Sequence, residues 1–323
     1  MKKRITFIFL ITASLISCGG GGGNKSLNQF DFSNAVMADP TLENGEKIEE
    51  TAAVNQQNQY SLNSVLSDKN PNTVFIFNTL INSINQFQQT APYALNMVID
   101  AEPCSYGGYI SGVITGLSDI SDWGMDYTMN ANFDQCSELS GVTLNGNMLV
   151  SLSDYNSRYD EYDRVYAEYL SDVSIIIDDT SLGAVSATIL AGSNQDMEYL
   201  SHNAFGPITS DMKITAVTII DGNKVALQNA EVRSTLNILY PYEMYYRSGR
   251  FYIDNLTAYA DYDESWDMSQ TPFIFDSFSG EINSGEARFN LANGGKARIV
   301  GTGGEPITYV DADGDGYFEL VEN

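Results

Sequence analysis

Short stretches in which apolar and polar side chains alternate fill most of the chain from residue 93 onward. Such alternation is typical of strands with one buried face, and turn residues such as Asp221-Gly222-Asn223 between the stretches favour antiparallel neighbours. The pattern therefore predicts a mainly β protein, with a large antiparallel sheet in a sandwich or barrel-like arrangement. The predicted strands are Tyr93–Asp100, Gly108–Thr115, Met125–Phe133, Val142–Leu152, Val165–Asp178, Ala184–Leu190, Met212–Ile220, Val225–Thr235, Met244–Arg247, Arg250–Tyr259, Phe273–Phe275, Glu281–Leu291, Ala297–Val300 and Ile307–Val310.

One N-terminal amphipathic helix is predicted over residues 71–92, immediately before the strands. Apolar residues recur there at intervals of three or four positions, as Val74, Phe77, Leu80, Ile81, Ile84 and Phe87. The residues between them are polar but include no Lys or Arg, which a helix on a membrane surface would carry. We therefore expect this helix to pack on the sheet of its own domain.

A tyrosine-rich segment is compatible with either helix or strand. The tyrosines recur at a 4-3-4-3 spacing, as Tyr155, Tyr159, Tyr162, Tyr166 and Tyr169. That spacing could place them on one face of a helix, but they also fit a hairpin with its tip at Asn156–Asp163 and a return strand that continues into Ile175–Ile177. The neighbouring strands favour the hairpin.

The first residues have the layout of an export signal. Three basic residues, Lys2 to Arg4, precede an apolar run from Ile5 to Ile16, and Leu15-Ile16-Ser17-Cys18 ends the run. This tetrapeptide resembles the lipobox of bacterial lipoproteins, which implies cleavage after Ser17 and a lipid on Cys18. An apolar run of 12 residues is too short for a transmembrane anchor, which needs roughly 20.

The resemblance implies a location in the cell envelope. Because Gly19, and not Asp, follows Cys18, it favours the outer membrane, on the periplasmic or the surface-exposed side. We accordingly divide the chain into a signal peptide (1–17), the lipidated Cys18 with a flexible tether (18–70), the helix (71–92) and a β domain (93–323). The tether is rich in Gly, Asn, Gln, Ser and Glu and shows no sustained periodicity.

The charge excludes nucleic acid as a partner. The chain has 16 basic and 42 acidic residues, for a net charge of −26, whereas nucleic-acid binding needs a basic surface. An anionic membrane would repel the domain too, so the lipid would be its attachment to the membrane. A hydrophobic content of 43 % still allows a substantial core.

Two cysteines remain once Cys18 carries a lipid. In the oxidising envelope an even pair is expected to form a disulfide, here between Cys104 and Cys136. The alternatives are two free thiols or a redox pair, although redox cysteines usually lie much closer in sequence.

An acidic loop near the end of the chain is the strongest candidate for a metal site. Residues 311–322 contain aspartates at alternate positions followed by a glycine, and they resemble an EF-hand calcium loop. Hard cations such as calcium prefer several converging oxygen ligands. The resemblance implies the ligands Asp311, Asp313, Asp315, the carbonyl of Tyr317, Glu319 and Glu322. Because strand-like Ile307–Val310 precedes it, the loop is more similar to calcium loops between β-strands, with Glu319 closing the site. The alternative is a solvated acidic turn.

No catalytic residue is predicted. The single histidine, His202, has no nucleophile motif around it, and a zinc site would need more His and Cys. Acidic and aromatic residues do cluster at Asp160–Asp163 and at Asp261–Glu264 with Trp266, as on many sugar-binding surfaces and many ordinary polar loops. Trp123 is the other tryptophan that could stack on a sugar.

Several further landmarks resemble a loose set of bacterial envelope lipoproteins of unassigned function. They are Phe133-Asp134-x-Cys136, Leu144-Asn145-Gly146 and Gly280-Glu281-Ile282. We expect a non-enzymatic, calcium-stabilised domain for adhesion, envelope structure or ligand binding, with carbohydrate or an envelope protein as partner. The alternative is an Asp/Glu-dependent hydrolase of polysaccharide or envelope polymer.

Overall fold

A computed structural model describes the chain in eleven segments: 30–52, 97–117, 126–137, 141–156, 161–179, 183–201, 208–220, 222–237, 240–275, 282–304 and 306–319. The signal peptide, Cys18, the predicted helix at 71–92, Trp123, His202 and Glu322 lie outside these residues. Within the described segments, no helix has both the length and the apolar character needed to cross a membrane.

The protein is mainly β with a large antiparallel sheet, which confirms the prediction from alternation. The described residues contain one α-helix, α1 (Leu42–Ala52), and short 3-10 turns at Asp254–Leu256, Met268–Gln270 and Ala292–Gly294. The strands are β1 (Val36–Met37), β2 (Met97–Pro103), β3 (Tyr109–Leu117), β4 (Asp126–Cys136), β5 (Val142–Asn156), β6 (Glu161–Tyr169), β7 (Val173–Asp179), β8 (Gly183–Ile189), β9 (Asn194–Ser201), β10 (Ile208–Ile220), β11 (Asn223–Asn237), β12 (Tyr240–Ile253), β13 (Ala258–Tyr262), β14 (Phe273–Phe275), β15 (Ile282–Ser284), β16 (Glu286–Asn290), β17 (Lys296–Val300) and β18 (Ile307–Asp311).

Most strands follow one another as an antiparallel meander. Strands β2 to β5 pair in sequence order, and so do β10 to β13. Between these groups, β6 and β7 pair with the two halves of β5, while β8 and β9 pair with the two halves of β10. β6 also pairs with β9, and β7 pairs with β8. β6 and β7 together therefore form one long, kinked strand, and β8 and β9 form a second one beside it. A final group, β16 to β18, joins the sheet through β13.

The buried faces of these strands share one hydrophobic core. It extends from Ala38, just after β1, to Val310 in β18. Aromatic rings meet edge-to-face inside it: the ring centroids of Tyr246 and Phe251 are 5.1 Å apart, and those of Phe251 and Phe289 are 5.0 Å apart. Such pairs add to the stabilisation that burial itself provides.

The tyrosine-rich segment forms the predicted hairpin. β5 and β6 pair antiparallel with Tyr155 opposite Tyr162, and the chain then bends at residues 170–172 and continues in the same direction as β7. A disulfide also links Cys104 to Cys136, with their Cα atoms 5.5 Å apart. It ties the turn between β2 and β3 to the end of β4.

Residues 30–52 pack on the sheet, so the prediction of a flexible tether over 18–70 is wrong for residues 30–52. β1 pairs in parallel with β13, and α1 buries Ile48 completely in the core. The helix lies so close to β18 that a Cβ atom on Gly45 would be 2.7 Å from Cγ2 of Thr308. Only glycine fits this approach without displacement, although glycine in a helix interior is unfavourable by about 1 kcal/mol relative to alanine.

The segment before β1 crosses the outer face of the sheet. There Phe32 stacks on Tyr252, with the ring centroids 4.2 Å apart, beside buried Val217 and Ala226. The folded part of the protein therefore includes Phe30, far ahead of the predicted boundary at residue 71.

Candidate functional site

The acidic loop is the tip of a tight turn at the end of β18. The backbone N–H of Val310 donates to the carbonyl oxygen of Glu319 at 3.2 Å, and the N–H of Glu319 donates back at 3.0 Å. This pair of hydrogen bonds closes residues 311–318 into a loop between extended segments.

Asp311 organises the interior of this loop. It is the last residue of β18 and only 2 % exposed, and its carboxylate accepts the N–H of Gly314 at 2.8 Å and that of Gly316 at 3.0 Å. Both glycines have positive φ angles, 76° and 89°, which other residues adopt at a cost. A Cβ on Gly314 would also lie 2.9 Å from the carbonyl oxygen of Gly294, so the loop rests on the 3-10 turn before β17.

Two more carboxylates converge with that of Asp311. Asp313 accepts the N–H of Asp315 at 3.3 Å, and Asp315 accepts the N–H of Tyr317 at 2.8 Å. One carboxylate oxygen from each of the three aspartates lies within 4.8 Å of the others. Three converging anionic oxygens suit a hard cation such as calcium.

The other two predicted carboxylates do not join this group. Glu319 is exposed and contacts β18 through its backbone, while Glu322 lies outside the described residues. The Tyr317 side chain is 78 % exposed. Asp311, Asp313 and Asp315 are therefore the metal-ligand candidates that the structure brings together.

A buried glutamate supports the sheet beside the loop. Glu286 is 8 % exposed and accepts hydrogen bonds from Arg288 Nε and Arg298 Nη2, each at 2.6 Å. The two arginines stand directly opposite each other on β16 and β17, where like charges repel. Glu286 offsets that repulsion. Sequence reasoning missed this cluster because the cross-strand register brings its residues together.

The same arginines contact the loop and a tryptophan. Their guanidinium carbons lie 5.2 Å (Arg288) and 5.8 Å (Arg298) from the centroid of the Phe318 ring. Arg288 also lies over the Trp266 ring at 3.7 Å, and the indole Nε1–H donates to the carbonyl oxygen of Glu286 at 3.3 Å. Arg288 therefore covers Trp266, which is packed in the structure and is not an open stacking surface for a sugar.

A shallow, open polar depression of 670 Å³, which we call the cleft, lies on the sheet where β11 bulges away from β12. At the bulge Asn229 has a φ angle of 52°, and Gly249 approaches Ala230 so closely that a Cβ would be 2.6 Å from its Cα. The lining residues are Gln228, Asn229, Ser248, Gly249, Arg250, Asp261, Tyr262, Asp263, Glu264, Ser265 and Asn290.

This cleft contains the whole Asp261–Glu264 cluster singled out from the sequence. Asp261 receives two hydrogen bonds from Arg250, at 2.6 and 3.0 Å, and buried Asp263 receives one from Lys296. Burial alone would raise the pKa of Asp263, but hydrogen bonds from Lys296 and Ser265 outweigh it and lower the pKa below its usual value. Glu264 is exposed to solvent.

The second acidic and aromatic cluster, Asp160–Asp163, is only partly described. Asp160 lies outside the described residues, and Asp163 is half-buried on β6.

Comparisons with protein-family models, with curated proteins and with solved structures find no significant match to this chain.

Proposed function

We propose that this protein is a cell-envelope lipoprotein whose calcium-stabilised β domain binds a carbohydrate in the cleft beside β13. The observation that carries the proposal is the chemistry of the cleft lining. Amide, hydroxyl, carboxylate and guanidinium groups converge there on a volume of 670 Å³. Such groups form the directional hydrogen bonds that a ligand rich in hydroxyl groups requires.

The surroundings of the two cleft aspartates favour ligand binding over hydrolysis. A glycoside hydrolase needs one protonated carboxylic acid with a raised pKa opposite a second carboxylate. In this cleft Asp261 is paired with Arg250, and the pKa of Asp263 is lowered. Asp263 is therefore suited to remain ionised and to accept hydrogen bonds.

Glu264 and Asn290 provide the variants for testing ligand binding. Glu264 is exposed, Asn290 is half-buried, and both line the cleft. We expect hits on a glycan array for the wild-type domain, and at least tenfold weaker binding, about 1.4 kcal/mol, for Glu264→Gln combined with Asn290→Ala. Glu243→Gln is the matched control, because Glu243 is exposed at the other end of β12. An array without hits, or equal loss in the control, would remove the carbohydrate proposal.

A calcium ion fits the aspartates of the loop. Within 4.8 Å of one another, three carboxylates repel, and a divalent cation would replace this repulsion by attraction. Asp311 is already held by two backbone N–H groups, so its position would not change on binding. Calcium would thereby stabilise the turn that closes β18, in keeping with a structural role.

The lipid would hold the domain close to the membrane. Only residues 19–29 separate Cys18 from Phe30, and a chain of that length spans at most about 40 Å. We expect the Cys18→Ala variant to leave the membrane fraction while it retains its fold and its calcium affinity. Membrane retention of that variant would overturn the lipoprotein assignment and leave the cleft proposal untouched.

A further inference from the structure

The β2–β3 hairpin carries most of the large apolar side chains that the described residues expose. Val98 is 70 % exposed, Tyr106 66 %, Tyr109 52 % and Val113 43 %. These four residues form what we call the hairpin patch. The other exposed large apolar residues lie on separate elements and are Val36, Leu200 and Tyr317. Scattered apolar residues are normal on a protein surface, whereas a contiguous group marks an interaction site.

Strand register places three members of the patch on one face. Val98 stands directly opposite Val113, and Tyr109 lies four residues before Val113 on β3. Since alternate residues of a strand point to the same side, Tyr109 and Val113 share that face. Tyr106 belongs to the turn that joins the two strands. Among the described residues β2 pairs with β3 alone, so the patch lies at an edge of the described sheet.

The patch has an acidic rim. Asp100, Glu102 and Asp134 are exposed around it, and Asp134 stands directly opposite Tyr109 on β4. The neighbouring strands are equally one-sided in sequence, because β2 to β5 contain five acidic residues and no Lys or Arg. A second copy of this chain would bring acidic rim against acidic rim, and anionic lipid would be repelled for the same reason.

We infer that the hairpin patch is a docking surface for a protein partner that presents aliphatic side chains flanked by Lys or Arg. Apolar contact provides the affinity, and the acidic rim selects and attracts the basic partner. The patch is built from β2, β3 and β4, whereas the cleft is built from β11, β12, β13 and β16. Failure of the carbohydrate proposal therefore leaves this inference standing, and the reverse also holds.

Binding of a synthetic peptide tests the inference. The probe is a capped eight-residue peptide of alternating Lys and Val, compared with a Glu and Val peptide, by fluorescence anisotropy in 0.15 M salt. We expect the Lys and Val peptide to bind and the Glu and Val peptide not to bind. The double variant Val98→Thr and Val113→Thr keeps shape and charge but removes apolar contact, and we expect its affinity to fall about fivefold. Asp134→Asn should weaken binding about twofold and flatten its salt dependence.

Matched variants elsewhere separate a site from general charge attraction. Val36→Thr changes an equally exposed valine on β1, and Asp178→Asn removes an exposed acid on β7. Both should bind the Lys peptide like the wild type. Losses equal to those of the patch variants, or no binding, would overturn the inference.

Hydroxyl-radical footprinting of the free full-length chain tests whether the patch is accessible. Tyr106 and Tyr109 should be oxidised at rates comparable to exposed Tyr317. Protection of both tyrosines in the free chain would show that other residues of the chain cover the patch, and this too would overturn the inference.

Discussion

Replacing Asp311 separates the structural role of the acidic loop from its role in binding metal. In EDTA, Asp311→Ala removes the acceptor of two backbone N–H groups, those of Gly314 and Gly316. Hydrogen bonds to a charged group contribute about 1.5–3 kcal/mol each. Both glycines are exposed, so water replaces part of this loss.

The variant also relieves repulsion. Carboxylate oxygens at 4.8 Å, the upper limit for this group, repel by about 0.9 kcal/mol in a water-like dielectric, and Asp311 has two such neighbours. The net effect of Asp311→Ala in EDTA is therefore a loss of about 2 kcal/mol in the free energy of unfolding.

Asp313→Asn is the matched control with the opposite sign. It removes the same repulsion, but Asn keeps an oxygen that can accept the single N–H from Asp315. In EDTA it should leave stability unchanged or raise it by up to about 1 kcal/mol. With calcium at 100 times its Kd, the wild type should gain about 2.7 kcal/mol and both variants little or nothing.

Urea unfolding followed by circular dichroism, carried out in EDTA and in calcium, measures the free energy of unfolding of the wild type and of both variants. Equal destabilisation by the two variants in EDTA would refute the organising role given to Asp311. A calcium-dependent gain that survives in Asp313→Asn would refute the assignment of the ligands.

Three further predictions concern the scaffold. Replacing Cys104 and Cys136 by alanine should lower the free energy of unfolding by about 3.5 kcal/mol in the chain-entropy model for a separation of 32 residues, and reductant should then have no further effect on stability. Because the folded-state pKa of Asp263 is lowered, its pair with Lys296 stabilises the protein above about pH 4 and that contribution disappears as the pH falls through the folded-state pKa. Asp263→Asn should therefore unfold with a shallower pH dependence below pH 4 than the wild type, and an unchanged acid profile would contradict this. Phe32→Ala should reduce the free energy of unfolding by about 1–2 kcal/mol, which is less than the loss at a fully buried Phe because the Phe32 ring is only half-buried on Tyr252. An unchanged urea midpoint would show that the N-terminal segment detaches freely.

Alternation was sufficient to predict the β class and most strands, because one face of each strand is buried and the other is not. It failed where a polar residue points inward. β9 was missed because Gln195 is fully buried between Ser193 and Met197, so that two of three successive inward positions are polar and the apolar pattern is broken. A buried glutamine is a property of the tertiary packing and carries no sequence periodicity.

The helix α1 was missed for a related reason. Its sequence contains Asn44-Gly45 and four glutamates, which are typical of a linker, and only Ile48 and Ala52 are apolar residues fully buried on its inner face. The close contact of Gly45 with β18 explains the glycine, but it depends on a partner more than 250 residues away. Local propensity does not contain that information.

The candidate site was predictable in part. The spacing of Asp311, Asp313 and Asp315 sufficed to predict that their carboxylates converge, because a tight turn determines their positions locally. Glu286 and its two arginines were not predictable, since their contacts depend on the register between β16 and β17. The cleft likewise results from a bulge in β11, and no local sequence motif predicts that bulge.

Calorimetric titration of the unlipidated Cys18→Ala chain with calcium tests directly whether the acidic loop holds a calcium ion. We expect saturable binding of one calcium ion per chain through Asp311, Asp313 and Asp315, and no binding by the Asp313→Asn variant of the same chain. Absence of saturable heat at millimolar calcium, together with an unfolding temperature that EDTA does not change, would contradict this expectation.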